Sequence, residues 1–356
     1  MHLFPCRRRA SEGMAEITTE LTELFGLDVP IVQAPIGSAT CPALASAVAN
    51  AGGVGMLALT WRPHADARAC LSETERLTDE RGTVGVNLVL DEDATTIPTE
   101  EHLDICAEQS VDIVSFSFGD AASHVDRVHE FGAVVMQTVG SAAQARSAVD
   151  AGVDIVVAQG WEAGGHVQSE VATLPLVPRV VDAVPKTPVI AAGGIGDGRT
   201  VAAVLTLGAA GAWLGTRFVA TAEAHVHDRY RERVIDAEET DTVYSTLFDR
   251  GWPDVPHRVV ENDTVDRWRA AGKPETDRPG GGDHVATTPT GEPIERYADS
   301  LAVPETTGNI DELPLYAGQS VGLINDRPTA SSVVEALAGE TEAALDSAAS
   351  NTRSSH

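Results

Sequence analysis

Short apolar runs recur along residues 30–215, with amphipathic stretches between them. The runs are Ile31–Ala34, Val54–Ala58, Val84–Val89, Ile113–Phe116, Ala133–Gln137, Asp154–Ala158, Val189–Ala192 and Ala212–Gly215. Each is short and apolar at successive positions, the pattern of a strand covered on both faces. The stretches between and after them predict helices over Pro42–Ala51, Ala65–Arg81, Thr99–Gln109, Ala122–Phe131, Ala142–Ala151, Leu174–Ala183, Gly198–Leu207 and Glu223–Ala237. Gly82, Gly132, Gly152 and Gly208 stand just past helix ends, where a left-handed cap residue is favoured. Eight βα units of this kind predict an α/β chain folded as a closed (β/α)8 barrel of the TIM type rather than an open sheet. No GxGxxG motif opens a helix after the first run, which counts against an open dinucleotide-binding sheet.

The rhythm stops near residue 238. Residues 241–260 hold Tyr244, Phe248, Trp252 and two prolines and predict an ordered excursion. Residues 272–307 are rich in Gly, Pro, Thr and acids, and predict a mobile lid or an unstructured linker. Apolar character returns over Leu313–Ile324, and a helix is predicted from Thr329 to Ala349. The resulting domain plan is a leader over 1–29, a barrel over 30–238, a substrate-side excursion over 239–328, and a C-terminal helix and tail over 329–356. Met14 is an alternative start. The basic residues of 1–9 precede no apolar stretch, so a secretory signal is not predicted.

Composition narrows the function classes. The chain has 356 residues, 43% of them hydrophobic, enough for a large core. No apolar run approaches the roughly 18 residues that a membrane helix needs. A formal net charge of −28 argues against nucleic acid as a partner. Lys186 and Lys273 are the only lysines. An acidic, lysine-poor chain predicts a halophilic protein, kept soluble in concentrated salt where charge repulsion is screened within about 3 Å. Dialysis into low salt is therefore expected to unfold it, as circular dichroism would show; full retention of structure would mark it as an ordinary acidic protein. Cys6, Cys41, Cys70 and Cys106 have no close metal or redox spacing, so a reduced cytoplasm and no metal are expected.

In such a barrel the chemistry sits on the loops after the strands. Ala158-Gln159-Gly160-Trp161-Glu162-Ala163-Gly164-Gly165-His166 ends the sixth predicted strand. Its glycines allow close backbone approach, and its histidine is the usual proton-transfer side chain near neutral pH. Gly193-Gly194 and Gly215-Thr216 follow the seventh and eighth strands, the positions that commonly hold phosphate in this architecture. His166 is thus the candidate general base or hydrogen-bond donor. Glu162 is read as a loop anchor that accepts backbone N–H bonds. Asn87 and Gln137, at strand ends, have amides suited to a heterocycle's edge.

The segments AQGWEAGGHV, AAGGIGDG, LGTRFVAT and VQAPIGS resemble the nitronate monooxygenase family, formerly called 2-nitropropane dioxygenases. The resemblance covers residues 30–223 and returns at AGQSVGL, residues 317–323. It implies an FMN-dependent barrel that oxidises alkyl nitronates, and nitroalkanes as a further substrate, with O2 to carbonyl compounds and nitrite. His166 inherits the catalytic role. Gly193, Gly194, Gly215 and Thr216 would hold the FMN phosphate, and Ala34 and Pro35 would lie against the ring. Asn87, Gln137 and Gln159 would contact the flavin or its ribityl chain, with Gly164 and Gly165 beside it and Gln319 on a loop that closes the pocket. Some members carry a lysine where this chain has Gln137, which implies less positive charge near the flavin. Residues 241–307 match nothing in the family pattern. A homodimer is left open. The rival readings are an NAD(P)H:quinone reductase, an FMN-type enoyl-acyl-carrier-protein reductase, and a phosphate-binding barrel without redox chemistry.

Overall fold

The computed structural model describes residues 17–91, 94, 95 and 97–352. The chain begins with α1 (Glu20–Phe25) and then alternates: β1 (Ile31–Gln33), α2 (Pro42–Asn50), β2 (Val54–Ala58), α3 (His64–Leu77), β3 (Thr83–Val89), α4 (Thr99–Glu108), β4 (Ile113–Ser117), α5 (Val125–Glu130), β5 (Val134–Val139), α6 (Ala142–Asp150) and β6 (Ile155–Gln159). After a two-residue strand, β7 (Gly165–His166), come α7 (Thr173–Ala183), β8 (Val189–Ala192), α8 (Gly198–Thr206) and β9 (Gly211–Leu214). Strands β1 to β6, β8 and β9 form one closed parallel barrel, sealed where β9 pairs with β1 through Val32 and Trp213.

Side chains alternate across this barrel wall, as the two-residue repeat of a strand requires. Val32, Val54, Met56, Ile113, Met136, Ile155, Val157, Ile190 and Trp213 point inward and pack as one cluster. Their neighbours Leu57, Val86, Val114, Phe116, Val135 and Val156 point outward into the layer beneath the helices. Both faces are therefore apolar. Helix α1 closes the N-terminal end of the barrel. Its Leu21 is fully buried and joins the inward cluster. A Thr19–Thr22 capping box starts this helix, and Gly26 in left-handed conformation ends it. Within the leader expected over 1–29, residues 20–27 are thus ordered against the barrel. Two leucines, Leu21 and Leu27, gain burial by filling the barrel floor, and so short a helix leaves no periodic signal. Residues 1–16, with Met14, lie outside the described residues.

The rest of the chain builds upon the opposite end. It contains α9 (Thr216–Val219), α10 (Asp228–Ile235), β10 (Thr242–Ser245), β11 (His257–Val260), α11 (Asp263–Ala270), β12 (His284–Thr287), β13 (Pro293–Glu295), β14 (Thr307–Gly308) and α12 (Ala330–Thr352). Strands β10, β11 and β7 make an antiparallel sheet in which His257 pairs with His166 and Arg258 with Gly165. Strands β13, β12 and β14 make a second sheet inside the segment expected as a lid or linker. Composition there understates order, because Ala286, Ile294, Tyr297 and Ala302 are buried between polar neighbours. Helix α12 returns against α8, where Glu340 accepts the Gly198 N–H at 2.9 Å. No described helix is long and apolar enough to cross a membrane.

Candidate active site

A cavity of about 560 Å³ opens at the C-terminal end of the barrel. Its floor is made by inward residues at the strand tops: Ala58, Asn87, Ser117, Thr138, Gln159, Ala192 and Trp213. Ala34 and Pro35 line it after β1, as do Gly164, Gly165 and His166 after β6, Gly193 and Gly194 after β8, and Gly215 and Thr216 after β9. The structure therefore brings together most of the positions singled out from the sequence.

Three of those positions make hydrogen bonds within the protein. Gln137 points away from the cavity and donates to the Gly119 carbonyl at 2.9 Å. Strand β5 runs on to Val139, so the last inward residue is Thr138; one residue of register moves a side chain to the other face. Gln159 lines the cavity, but its amide holds the loop, donating to the His166 carbonyl at 3.1 Å and accepting the Gln168 N–H at 2.8 Å. Gln319 lies outside the lining, where its N–H donates to the Glu162 carbonyl at 3.0 Å, while its neighbours Gly318 and Ser320 reach the cavity.

The glycine turn is locked from several sides. The Glu162 carboxylate accepts the Thr173 N–H at 2.8 Å and the Thr173 hydroxyl at 3.0 Å, capping the first turn of α7. That is the anchoring role read from sequence. A Cβ at Gly164 would sit 2.4 Å from Gly318 N and 2.5 Å from Ala317 C, so only glycine lets the returning chain pass. Gly318 N–H in turn donates to the Thr216 hydroxyl oxygen at 2.9 Å, tying this return to the loop after β9. Beneath the turn, buried Arg258 stacks on Trp161 at 4.2 Å and donates to its carbonyl at 2.9 Å.

His166 sits in an aromatic setting. Its ring lies 4.2 Å from Trp252, 5.4 Å from Tyr316 and 6.2 Å from Phe118, centroid to centroid. Burial alone pushes its pKa down to about 3, so the imidazole is neutral. Its Nε2 is buried without a hydrogen bond and faces the Asp299 carboxylate at 3.6 Å. Burial raises the Asp299 pKa, and a hydrogen bond donated by the Tyr316 hydroxyl partly offsets this. His257 is also neutral. Burial and the neighbouring His166 push it to about 4, its Nε2 accepts the Phe248 N–H, and its Nδ1 donates to the Val255 carbonyl.

Ser117 and Thr138 were readable from strand alternation once the strand ends are placed correctly. Phe118, Trp252, Asp299 and Tyr316 were not. They come from loops and from the C-terminal excursion, which carry no period that points a side chain at the barrel.

The family model described as "Nitronate monooxygenase" matches residues 18–340. A "(3aS,4S,5R,7aS)-5-hydroxy-7a-methyl-1-oxo-octahydro-1H-indene-4-carboxyl-CoA dehydrogenase" of Rhodococcus jostii is 37% identical over 73% of this chain and 70% of its own length. Among solved structures, FabK from Thermotoga maritima aligns over 94% of this chain and 99% of its own, with 31% identity and a TM-score of 0.79. A nitroalkane oxidase from Streptomyces ansochromogenes aligns over 92% of this chain and 99% of its own, with 27% identity and a TM-score of 0.73.

Proposed function

The chain belongs to the nitronate monooxygenase family and is an oxidoreductase, and from that premise we propose that it oxidises alkyl nitronates with dioxygen to carbonyl compounds and nitrite, using FMN. The observation that carries this reading is the neutral, buried imidazole of His166 in the wall of a glycine-lined cavity at the barrel top. A nitroalkane has an acidic C–H beside its nitro group, and an uncharged imidazole keeps a nitrogen lone pair free to accept that proton. A nitronate is already the anion, so it needs binding and oxidation only.

The cavity fits FMN. Among the described residues, the N–H groups of Gly194, Gly215 and Thr216 donate to no protein acceptor, and they stand at the tops of β8 and β9. Gly193 and Gly194 have φ of 95° and 73°, a left-handed backbone that turns successive N–H groups to one side. These residues would hold the phosphate. Asn87, Ser117 and Thr138 would supply donors and acceptors to the ring system. When bound, FMN supplies the electron transfer from nitronate to dioxygen. The chain's own part is to place the nitronate beside His166 and to exclude bulk water with Phe118, Trp252 and Tyr316. In the balance, two nitronates and one dioxygen give two carbonyls and two nitrites; each substrate carbon–nitrogen bond breaks, and nitrite leaves.

The likeness to FabK favours a second reading, an NAD(P)H-dependent reduction of an enoyl thioester. Anaerobic mixing separates the two. The yellow flavin band is expected to bleach with alkyl nitronate and not with NADH or NADPH, and admission of air is expected to release nitrite. Bleaching by a nicotinamide alone would replace the oxidase with the reductase.

A further inference from the structure

Asp299 comes from the excursion, far from the glycine turn in sequence, yet it lines the same cavity as His166. It is fixed from two sides. Its backbone N–H donates to the Arg250 carbonyl at 2.8 Å, and its Oδ1 accepts the Tyr316 hydroxyl. Tyr316 is itself held, since its carbonyl accepts the Tyr230 hydroxyl at 2.6 Å. The other oxygen, Oδ2, faces His166 Nε2 at 3.6 Å, and among the described residues neither atom has another hydrogen bond. A buried carboxylate with a single donor and a buried imidazole nitrogen with no partner are both costly. One hydrogen bond between them would satisfy both.

The other groups around His166 are spoken for. Both ring nitrogens of His257 are engaged, the amide of Gln159 holds the loop backbone, and the Trp252 indole N–H donates to Asp91 at 2.8 Å. We propose that Asp299 is the positioning residue for His166: its carboxylate accepts the Nε2–H and so leaves Nδ1 as the basic nitrogen that meets substrate. The proposal rests on the reading of His166 as proton acceptor. Hydrogen bonds of this kind are often long before substrate binds. Closing the gap to about 2.9 Å needs only a small movement of either side chain. When Nδ1 takes the substrate proton, the C–H electron pair stays on carbon and the nitro group as the nitronate. The imidazolium then faces a carboxylate, which strengthens the bond. Asp299 keeps its own protonation state throughout.

Two readouts test this. In the first, ¹⁵N spectra of the flavin-loaded protein, assigned with His166→Ala, are expected to show His166 as the Nε2–H tautomer. Asp299→Asn is expected to lose that preference, and Asp299→Glu to recover it. In the second, Asp299→Asn is expected to lower kcat/KM for neutral nitroalkane at least tenfold, within the roughly 10²–10⁴ that a positioned proton transfer contributes. Turnover of pre-formed nitronate is expected to fall far less, because no proton is removed. Tyr316→Phe, which keeps the ring and removes one donor, is expected to show the same split more weakly and guards against a folding defect in the first variant. An unchanged His166 tautomer in Asp299→Asn, or equal losses on both substrates, overturns the proposal. If the wild type turns over neither substrate, the reaction assignment fails while the tautomer measurement still decides the pairing.

Discussion

Replacing His166 with alanine or asparagine is expected to lower nitroalkane turnover by about 10²–10⁴-fold, the contribution of a positioned acid–base group. The flavin should remain bound with its absorption bands intact. The separation follows from where the parts sit. The proposed phosphate donors belong to the loops after β8 and β9, whereas His166 projects from β7, which pairs with β11 of the excursion. Removing the imidazole therefore leaves the cradle standing. Nitrite release with a neutral nitroalkane, set against the flavin spectrum of the same preparation, is the measurement. Wild-type nitrite release from the alanine variant would remove His166 from the chemistry and leave it as packing for Trp252.

The second large effect is expected from Gly164→Ala. Its new methyl would have to occupy space within 2.4–2.8 Å of backbone atoms of Ala317 and Gly318. Backbone cannot rotate aside as a flexible side chain can, so the turn and the returning chain must separate. That strains the Gly318 N–H bond to Thr216 and the Gln319 N–H bond to Glu162. Overpacking of this kind costs about 1–3 kcal/mol. The variant should therefore melt at a lower temperature and lose flavin during gel filtration. Thermal unfolding and the ratio of flavin to protein absorbance read both effects. An alanine variant with wild-type melting and full flavin would mean that the two segments do not hold each other.

The barrel was legible because burial on both faces forces apolar residues into every strand. The eight predicted runs and the eight barrel strands differ by only a residue or two at their ends. Gln137 shows what such an error does. Ending the strand there turns an outward amide into an apparent cavity residue, while Thr138 goes unnoticed. Glycine pairs were legible too, since close backbone approach leaves few alternatives. Residues 20–27 and 272–307 were not, because a short plug and a small half-exposed sheet bury too few side chains to set a period. Asp299 illustrates a further limit. Nothing local marks one acid among 53 as buried; its place depends on a return of the chain that only tertiary structure supplies.

The pairing of His166 with His257 across β7 and β11 has a consequence for inheritance. The segment beyond the eighth barrel strand grips the glycine turn through main-chain bonds. Recombination that exchanged everything beyond the eighth strand between two relatives would carry over more than a new specificity cap. It would also reset the orientation of His166.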